Sequence, residues 1–359
     1  MKTIAYYISD YGYGHATRST AIIRQLLKKN EEIEIIICHS FAIEFLRQSF
    51  KYERRVRFRE ILTDVGYVLK ENSLEPDDDL LNHQVASYVS SFHTKLMYEV
   101  HFMKVANVSF VISDISPLGI AGAYLLNLPS LGISNFTWFT AYEGLIGELS
   151  LEFLEKRYEQ MTYQFSLACS DEPHWGMKEN QSFGFYSREV NDSEVQRIRK
   201  EINPAGDSHI IYFGLGMKVD IGTLSDLPIW QSPNCKFIVS SNVDVTHPNV
   251  YKIPQDETET QNYVAAANLV LTKAGWGTIS EAVCAGVPLL ITNRSMKEDR
   301  HTIDYLVRHQ LCDLIEWKGL EILVVTPSLI ETCRRQQINR YKNEAVHIAE
   351  EINKKINSK

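Results

Sequence analysis

Short apolar runs alternate with amphipathic segments along the chain, the rhythm of parallel strands linked by crossover helices. Ile4 to Ser9 reads as a first strand. Ala16 to Lys29 reads as a helix with Ile22, Ile23, Leu26 and Leu27 on its apolar face. Glu34 to Cys38, Val108 to Ser113 and Pro129 to Ile133 read as strands, Asn82 to Val105 and Glu148 to Thr162 as helices, and Phe165 to Cys169 as a last short strand of this set. Asp171 to Asn191 has no period and is expected to be irregular. A charged helix over Asp192 to Ile202 and the break Asn203-Pro-Ala-Gly-Asp207 follow, which places a linker across residues 188 to 207. Ile210 to Phe213, Lys236 to Ser240, Val250 to Ile253, Leu269 to Leu271 and the run after Val287 then read as strands of a second set. Thr326 to the end reads as one long polar helix with Ile330, Ile338, Ala345 and Ile348 along its apolar stripe. The pattern predicts an α/β protein with two domains, residues 1–188 and 207–335, and a C-terminal helix over 336–359.

Three glycine turns interrupt this pattern at the carboxyl ends of strands, where open α/β sheets hold their ligands. In Asn268-Leu-Val-Leu-Thr-Lys273-Ala-Gly275-Trp276-Gly277-Thr278-Ile-Ser-Glu281, a helix follows Gly275-x-Gly277, and its free N–H groups and positive dipole end suit a phosphate. Thr278 is expected to cap that helix, with Glu281 at capping-box spacing and within reach of a ribose diol. The same turn is equally the ordinary turn between a strand and a helix. Gly214 and Gly216 offer a second backbone approach to a phosphate. Asp10-Tyr-Gly12-Tyr-Gly14-His15 opens the chain in βαβ fashion. However, Thr17 stands at the third fingerprint position and Cys38-His39-Ser40 ends the second strand without an acid, so NAD is not expected. His15 sits where a base would act near neutral pH, or serves as a structural histidine. Asp114, at the end of another strand, could orient that imidazole or cap the helix after Pro117. Asn135, Phe136 and Trp138 mix aromatic and polar character, which suits stacking on a sugar and suits core packing almost as well.

Composition narrows the function. A net charge of −8 and a pI near 5.8 argue against a nucleic-acid binder working by bulk electrostatics. Six scattered cysteines without a C-x-x-C pair read as reduced thiols of a cytoplasmic protein, and the N-terminus reads as a strand rather than a signal peptide. No apolar stretch approaches the ~18 residues that span a bilayer. The basic run from Arg47 to Arg59 reads by default as a solvated face. It is also a candidate for peripheral contact with the inner face of a membrane or with an anionic acceptor. His83, His93 and His101 lack metal-ligand spacing, so no metal is expected.

At this point the sequence resembles the GT-B glycosyltransferases. It looks most like the amino-terminal domain of L-arabinokinase-type proteins and the lipid-linked N-acetylglucosaminyltransferase group (glycosyltransferase family 28-like). The likeness lies in Gly12-Tyr-Gly14-His15-Ala-Thr-Arg18, in Val111-Ile-Ser-Asp114 with Ser134-Asn135-Phe136-Thr137-Trp138, and in Ala267 to Ala282. It implies two Rossmann-like domains facing across a cleft, with the C-terminal helix crossing back to the first. It further implies a nucleotide sugar, most often UDP-linked, on Gly275, Gly277, Thr278 and neighbouring Lys273 and Trp276, with Glu281 on the ribose and the base near Ile253. Gly14, Gly214 and Gly216 would also lie on the donor side. The resemblance casts His15 as general base steadied by Asp114, in inverting transfer without a metal or other cofactor, to a small-molecule, glycan or lipid-linked acceptor. Where many members carry an acid-glutamine pair, this chain has Glu298-Asp299-Arg300, so only Glu298 and Asp299 carry over to the donor sugar. No kinase segment follows the last helix, so sugar phosphorylation is not expected. A nucleotide-sugar hydrolase or 2-epimerase on the same scaffold, or a binding module without chemistry, are the competing expectations.

Overall fold

A computed structural model describes residues 1–70, 76–215, 224–292, 297–336 and 341–358. Packing divides the chain into two units. One comprises Met1–Leu69, Pro76–Gly184 and Glu344–Lys359, and the other takes in Phe185–Asn343.

The first unit is built on a seven-stranded sheet, all parallel, in the order β3-β2-β1-β4-β5-β6-β7. The strands are β1 (Lys2–Ile8), β2 (Ile33–His39), β3 (Val56–Glu60), β4 (Val108–Asp114), β5 (Ser130–Ser134), β6 (Tyr163–Ser166) and β7 (Glu179–Ser182). Central β1 is buried from Thr3 to Ile8, so its near-continuous apolar run is what a strand covered on both faces needs. The crossover after β1 begins earlier than the sequence suggests. Gly12 takes φ 74, a backbone conformation natural to glycine, and the helix starts at Tyr13 and runs to Lys29. His15 therefore lies in the first turn of a helix rather than in the preceding loop.

The second unit carries a six-stranded sheet, also all parallel, in the order β10-β9-β8-β11-β12-β13. Its strands are β8 (His209–Gly214), β9 (Cys235–Val239), β10 (Val250–Lys252), β11 (Leu269–Lys273), β12 (Leu289–Thr292) and β13 (Asp313–Ile315). It also absorbs the stretch 188–207 read above as linker. The helix Asp192–Ile202 is capped by the Asn191 side chain, buries Val195, Ile198 and Ile202, and gives Arg199 to the carbonyls of Ala265 and Ala266.

The single terminal helix expected from Thr326 onward is two. Pro327–Gln336 buries Ile330 and Cys333 in the core of the second unit, whereas Ala345–Asn357 packs on the Tyr13–Lys29 helix of the first. Ile338 lies outside the described residues. The docking of Ala345–Asn357 is led by Ile348, Ile352 and Ile356, all buried, at about 1.5–3 kcal/mol each. The Lys29–Glu350 pair at 2.7 Å is open to solvent and screened by it, so apolar burial decides the packing. Among the described residues no helix is long and apolar enough to cross a membrane.

Candidate functional site

The first cluster gathers at the carboxyl ends of β1, β4 and β5. Asp114 ends β4, and His15 and Arg18, three residues apart on one helix face, both reach it. His15 Nδ1 lies 3.0 Å from Asp114 Oδ1. Arg18 donates from Nε to Oδ2 at 2.7 Å and from Nη2 to Oδ1, and Ser19 Oγ donates to Oδ2 at 3.2 Å. Arg18 Nη1 also donates to Asn135 Oδ1 at 2.7 Å, which ties the residue after β5 into the same network. His15, Arg18, Asp114 and Asn135 are all buried, with Asp114 1% exposed. Burial by itself would push the Asp114 carboxyl up, but Arg18 and His15 outweigh it and hold it well below the usual carboxylate range. Burial is also the largest influence on His15 and lowers its pKa. Asp114 opposes that shift and Arg18 adds to it, leaving a neutral imidazole at neutral pH.

The sequence brought out His15 and Asp114 by their strand-end positions. It did not bring out Arg18 as the fork across the carboxylate. The visible signal was a basic residue at i+3 from the histidine, one turn before the apolar Ile22.

Trp138 has a different place from the one expected. It is 1% exposed, stacked on Tyr142 at 4.9 Å and edge-packed by Tyr11, Tyr67 and Phe136, and its indole N–H donates to Asp64 Oδ2 at 2.9 Å. It is a core ring with no face for a sugar, because its polar tip is satisfied internally. Phe136 is also buried, with its ring 5.9 Å from that of His15. The aromatic rings open to solvent at this edge are Tyr13 and Phe41, from the segments after β1 and β2. They meet edge-to-face at 5.4 Å, and Phe45 touches Tyr13 at 5.9 Å. Asp64, 2% exposed and bonded to Trp138, has no cation of the Arg18 kind among the described residues. Burial and then the neighbouring Asp10 charge push its carboxyl up to about 7, against the Trp138 and Asp10 N–H bonds it accepts.

Four of the six cations of the basic run are matched by acids. Arg47 pairs with Glu44 and Glu60, Arg55 with Glu53, Arg57 with Glu34, and Arg59 forks onto buried Glu99 at 2.7 Å. Part of the run forms β3, whose alternation turns Arg59 towards that acid.

The second cluster lies in the other unit, at the end of β11. Gly275, rather than Thr278, is the residue flanking the Trp276–Ala285 helix, and among the described residues no side chain caps it. Thr278 therefore sits inside the first turn, and the capping box expected with Glu281 does not form. No acid stands in that turn. Gly275, Gly277 and Thr278 are all partly open to solvent, so the positive helix end is within reach of a ligand. Trp276 is buried against Phe185 and Tyr186.

Glu281 faces Arg188, which was expected in the linker. Arg188 Nη2 donates to Glu281 Oε1 at 2.6 Å and to Thr260 Oγ1 at 2.9 Å, and Nη1 donates to the Thr258 carbonyl. Arg188 is 2% exposed and Glu281 9%. The glycine at Gly214 answers to packing, since a Cβ there would stand 2.7 Å from the Tyr212 ring. Gly14, in contrast, has open space where a Cβ would be. Ile253 is buried with its N–H given to Val239 O at 2.9 Å. Lys273 ends β11, half-buried, and Asp299 is buried in the Lys297–Arg308 helix. Gly216 and the side chain of Glu298 lie outside the described set.

No protein-family model matches this chain. It is 24% identical over 298 residues to L-arabinokinase of Arabidopsis thaliana, a match that takes in 81% of this chain but only 28% of that protein's length. Among solved structures it resembles CalG4, the calicheamicin glycosyltransferase, with a TM-score of 0.63, 14% identity and 98% of each chain covered. It also resembles UGT2 of Phytolacca americana, solved with UDP-2-fluoro-glucose and pterostilbene, with a TM-score of 0.63, 12% identity and both chains covered in full. The chain thus has the GT-B fold of these glycosyltransferases: two parallel-sheet, Rossmann-like units, with the last helix returned to the first.

Proposed function

We propose that this chain transfers a sugar from a UDP-linked nucleotide donor to an acceptor hydroxyl with inversion. The observation that carries the reading is the buried His15–Asp114 contact at 3.0 Å, with the imidazole kept neutral in a chain of this fold. A neutral imidazole whose Nδ1 is turned to a carboxylate offers Nε2 as a base. In this reading Nε2 takes the acceptor proton and the acceptor oxygen bonds to the anomeric carbon. The bond from that carbon to the diphosphate breaks, and the nucleoside diphosphate leaves with the electron pair.

The second unit would bind the donor. The uncapped helix end after Gly275, with no acid in its first turn, suits the charge that develops on the leaving diphosphate and needs no cation for the purpose. Among the described residues only Oε1 of Glu281 is engaged, by Arg188, which leaves Oε2 to accept from a ribose hydroxyl. Lys273 and Asp299 extend the donor side. On the acceptor side, the open rings of Tyr13 and Phe41 take the part expected of Trp138. They suit an acceptor with an apolar or ring-bearing face.

The test is incubation with UDP-sugars, with and without a panel of hydroxyl acceptors, read as UDP release and as new glycoside by mass spectrometry. Transfer requires both products and requires acceptor. Donor consumed alone would replace transfer with hydrolysis or epimerisation, and donor bound but never consumed would leave a binding module.

A further inference from the structure

We propose that Arg18 is a positioning residue that fixes which nitrogen of His15 is left to act as base, by filling the Asp114 carboxylate from the other side. The proposal rests on the reading of His15 as base and deepens it. The argument is one of donors and acceptors. A buried carboxylate has about four acceptor directions, and each needs a donor. Arg18 Nε and Ser19 Oγ supply Oδ2, while Arg18 Nη2 supplies Oδ1. Among the described residues the fourth place is met only by His15 Nδ1, at 3.0 Å, and only if that nitrogen carries the proton. Nε2 is then bare. The competing arrangement, with Arg18 Nη2 donating to Nδ1 across its own 3.0 Å contact, would put the proton on Nε2 and leave Oδ1 one donor short in a site 1% exposed.

Charge adds a second consequence. Arg18 already balances Asp114, so the imidazole has no need to ionise to compensate the buried anion. An aspartate facing His15 alone would favour imidazolium, which has no lone pair for an acceptor proton. The guanidinium therefore separates two tasks that a histidine–aspartate pair combines: it compensates the charge, and the carboxylate orients the ring. The other titratable groups around the cluster do not take over this part. His39, from β2, is buried and its own pKa is lowered, and Tyr6, from β1, keeps its hydroxyl protonated far above neutral pH.

The experiment is nitrogen-15 NMR of the histidine side chains in the unmodified protein and in Arg18→Met and Arg18→Lys. In the parent, His15 is expected as the Nδ1–H tautomer with a midpoint below the ordinary value. Arg18→Met should raise that midpoint by about one unit or more, and Arg18→Lys, which keeps the cation, should leave it near the parent's. An Nε2–H tautomer in the parent overturns the proposal, as does a folded Arg18→Met with an unmoved midpoint. If Arg18→Met does not fold, the parent tautomer and the lysine variant still decide. Where transfer is observed, the acid limb of kcat/KM should move up in the methionine variant and return with lysine. The titration needs no substrate, so its outcome is independent of whether the chain transfers sugar.

Discussion

Each unit holds an arginine–carboxylate pair with both partners buried, Arg18–Asp114 and Arg188–Glu281, and the two pairs are finished differently. In the first, Asp114 accepts from Arg18, Ser19 and His15 and is 1% exposed, so nothing of it is left for a ligand. In the second, Arg188 engages Glu281 through Oε1, and the acid remains 9% exposed. A saturated carboxylate can only orient its neighbours, whereas a half-used one can still recognise. In the proposed reading the same kind of pair would serve a base in one unit and a binding acid in the other, and the difference would be the number of donors supplied.

The sharpest way to break the comparison is to remove what the saturated carboxylate orients. His15→Ala is expected to lower turnover by about 10²–10⁴-fold while nucleotide affinity, measured by calorimetry, stays within about twofold. A variant that turns over normally would reduce the first cluster to structure.

The half-used pair is tested by removing its cation. Arg188→Met strands the Glu281 charge in a site with little water, at a cost of about 3–5 kcal/mol in denaturant unfolding. Arg188→Met combined with Glu281→Gln should recover much of that loss, since no charge is then left uncompensated. If the single variant unfolds like the parent, Arg188 is not what holds Glu281.

A third carboxyl sharpens the contrast because no arginine pairs with it among the described residues. Asp64 titrates in the folded chain at about 7, above the ~3.9 of an unfolded aspartate. The stability this group contributes is fully present below pH ~3.9 and is lost as pH rises through about 7. Asp114 has the opposite sign. Its folded value is depressed, so its contribution is present above pH ~3.9 and is lost as pH falls below that. Denaturant midpoints followed across this range should therefore decline toward neutral pH in the parent, and Asp64→Asn should flatten the decline. A decline that persists in Asp64→Asn would assign it to another group.

These three carboxyls also mark how far the sequence could be read. Asp114 was legible because a strand with an apolar run, Val108 to Ser113, points its end at a fixed place in a parallel sheet. Arg18 and Arg188 were not, since their partners lie 96 and 93 residues away and no local period links them. Trp138 was misplaced because an aromatic-polar string has the same composition whether its rings face solvent or core. The strands show the same limit. Buried central strands such as β1 and β4 announced themselves by apolar runs. The strands β3, β7 and β13 all lie at sheet edges, where Arg57 and Arg59, or the wholly polar Glu179-Asn-Gln-Ser182, can pair without hydrophobic signal. The long terminal stripe misled in another way, because Ile330 and Ile348 are apolar for the sake of two different cores.

The smallest expected effect bears on the free oxygen of Glu281, and changing the ligand tests it better than changing the chain. Glu281→Gln would disturb Arg188 and confuse recognition with stability. UDP and 2′,3′-dideoxy-UDP differ only in the hydroxyls that Oε2 is proposed to accept from, and both leave the Arg188 pair intact. A hydrogen bond to a charged acceptor contributes about 1.5–3 kcal/mol, part of which water returns when the hydroxyl is missing. The dideoxy nucleotide should therefore bind about tenfold more weakly, whereas the diphosphate contacts at the helix end are common to both and cancel. Equal affinities would mean that Glu281, like Asp114, has no acceptor to spare, and the two pairs would then be the same device used twice.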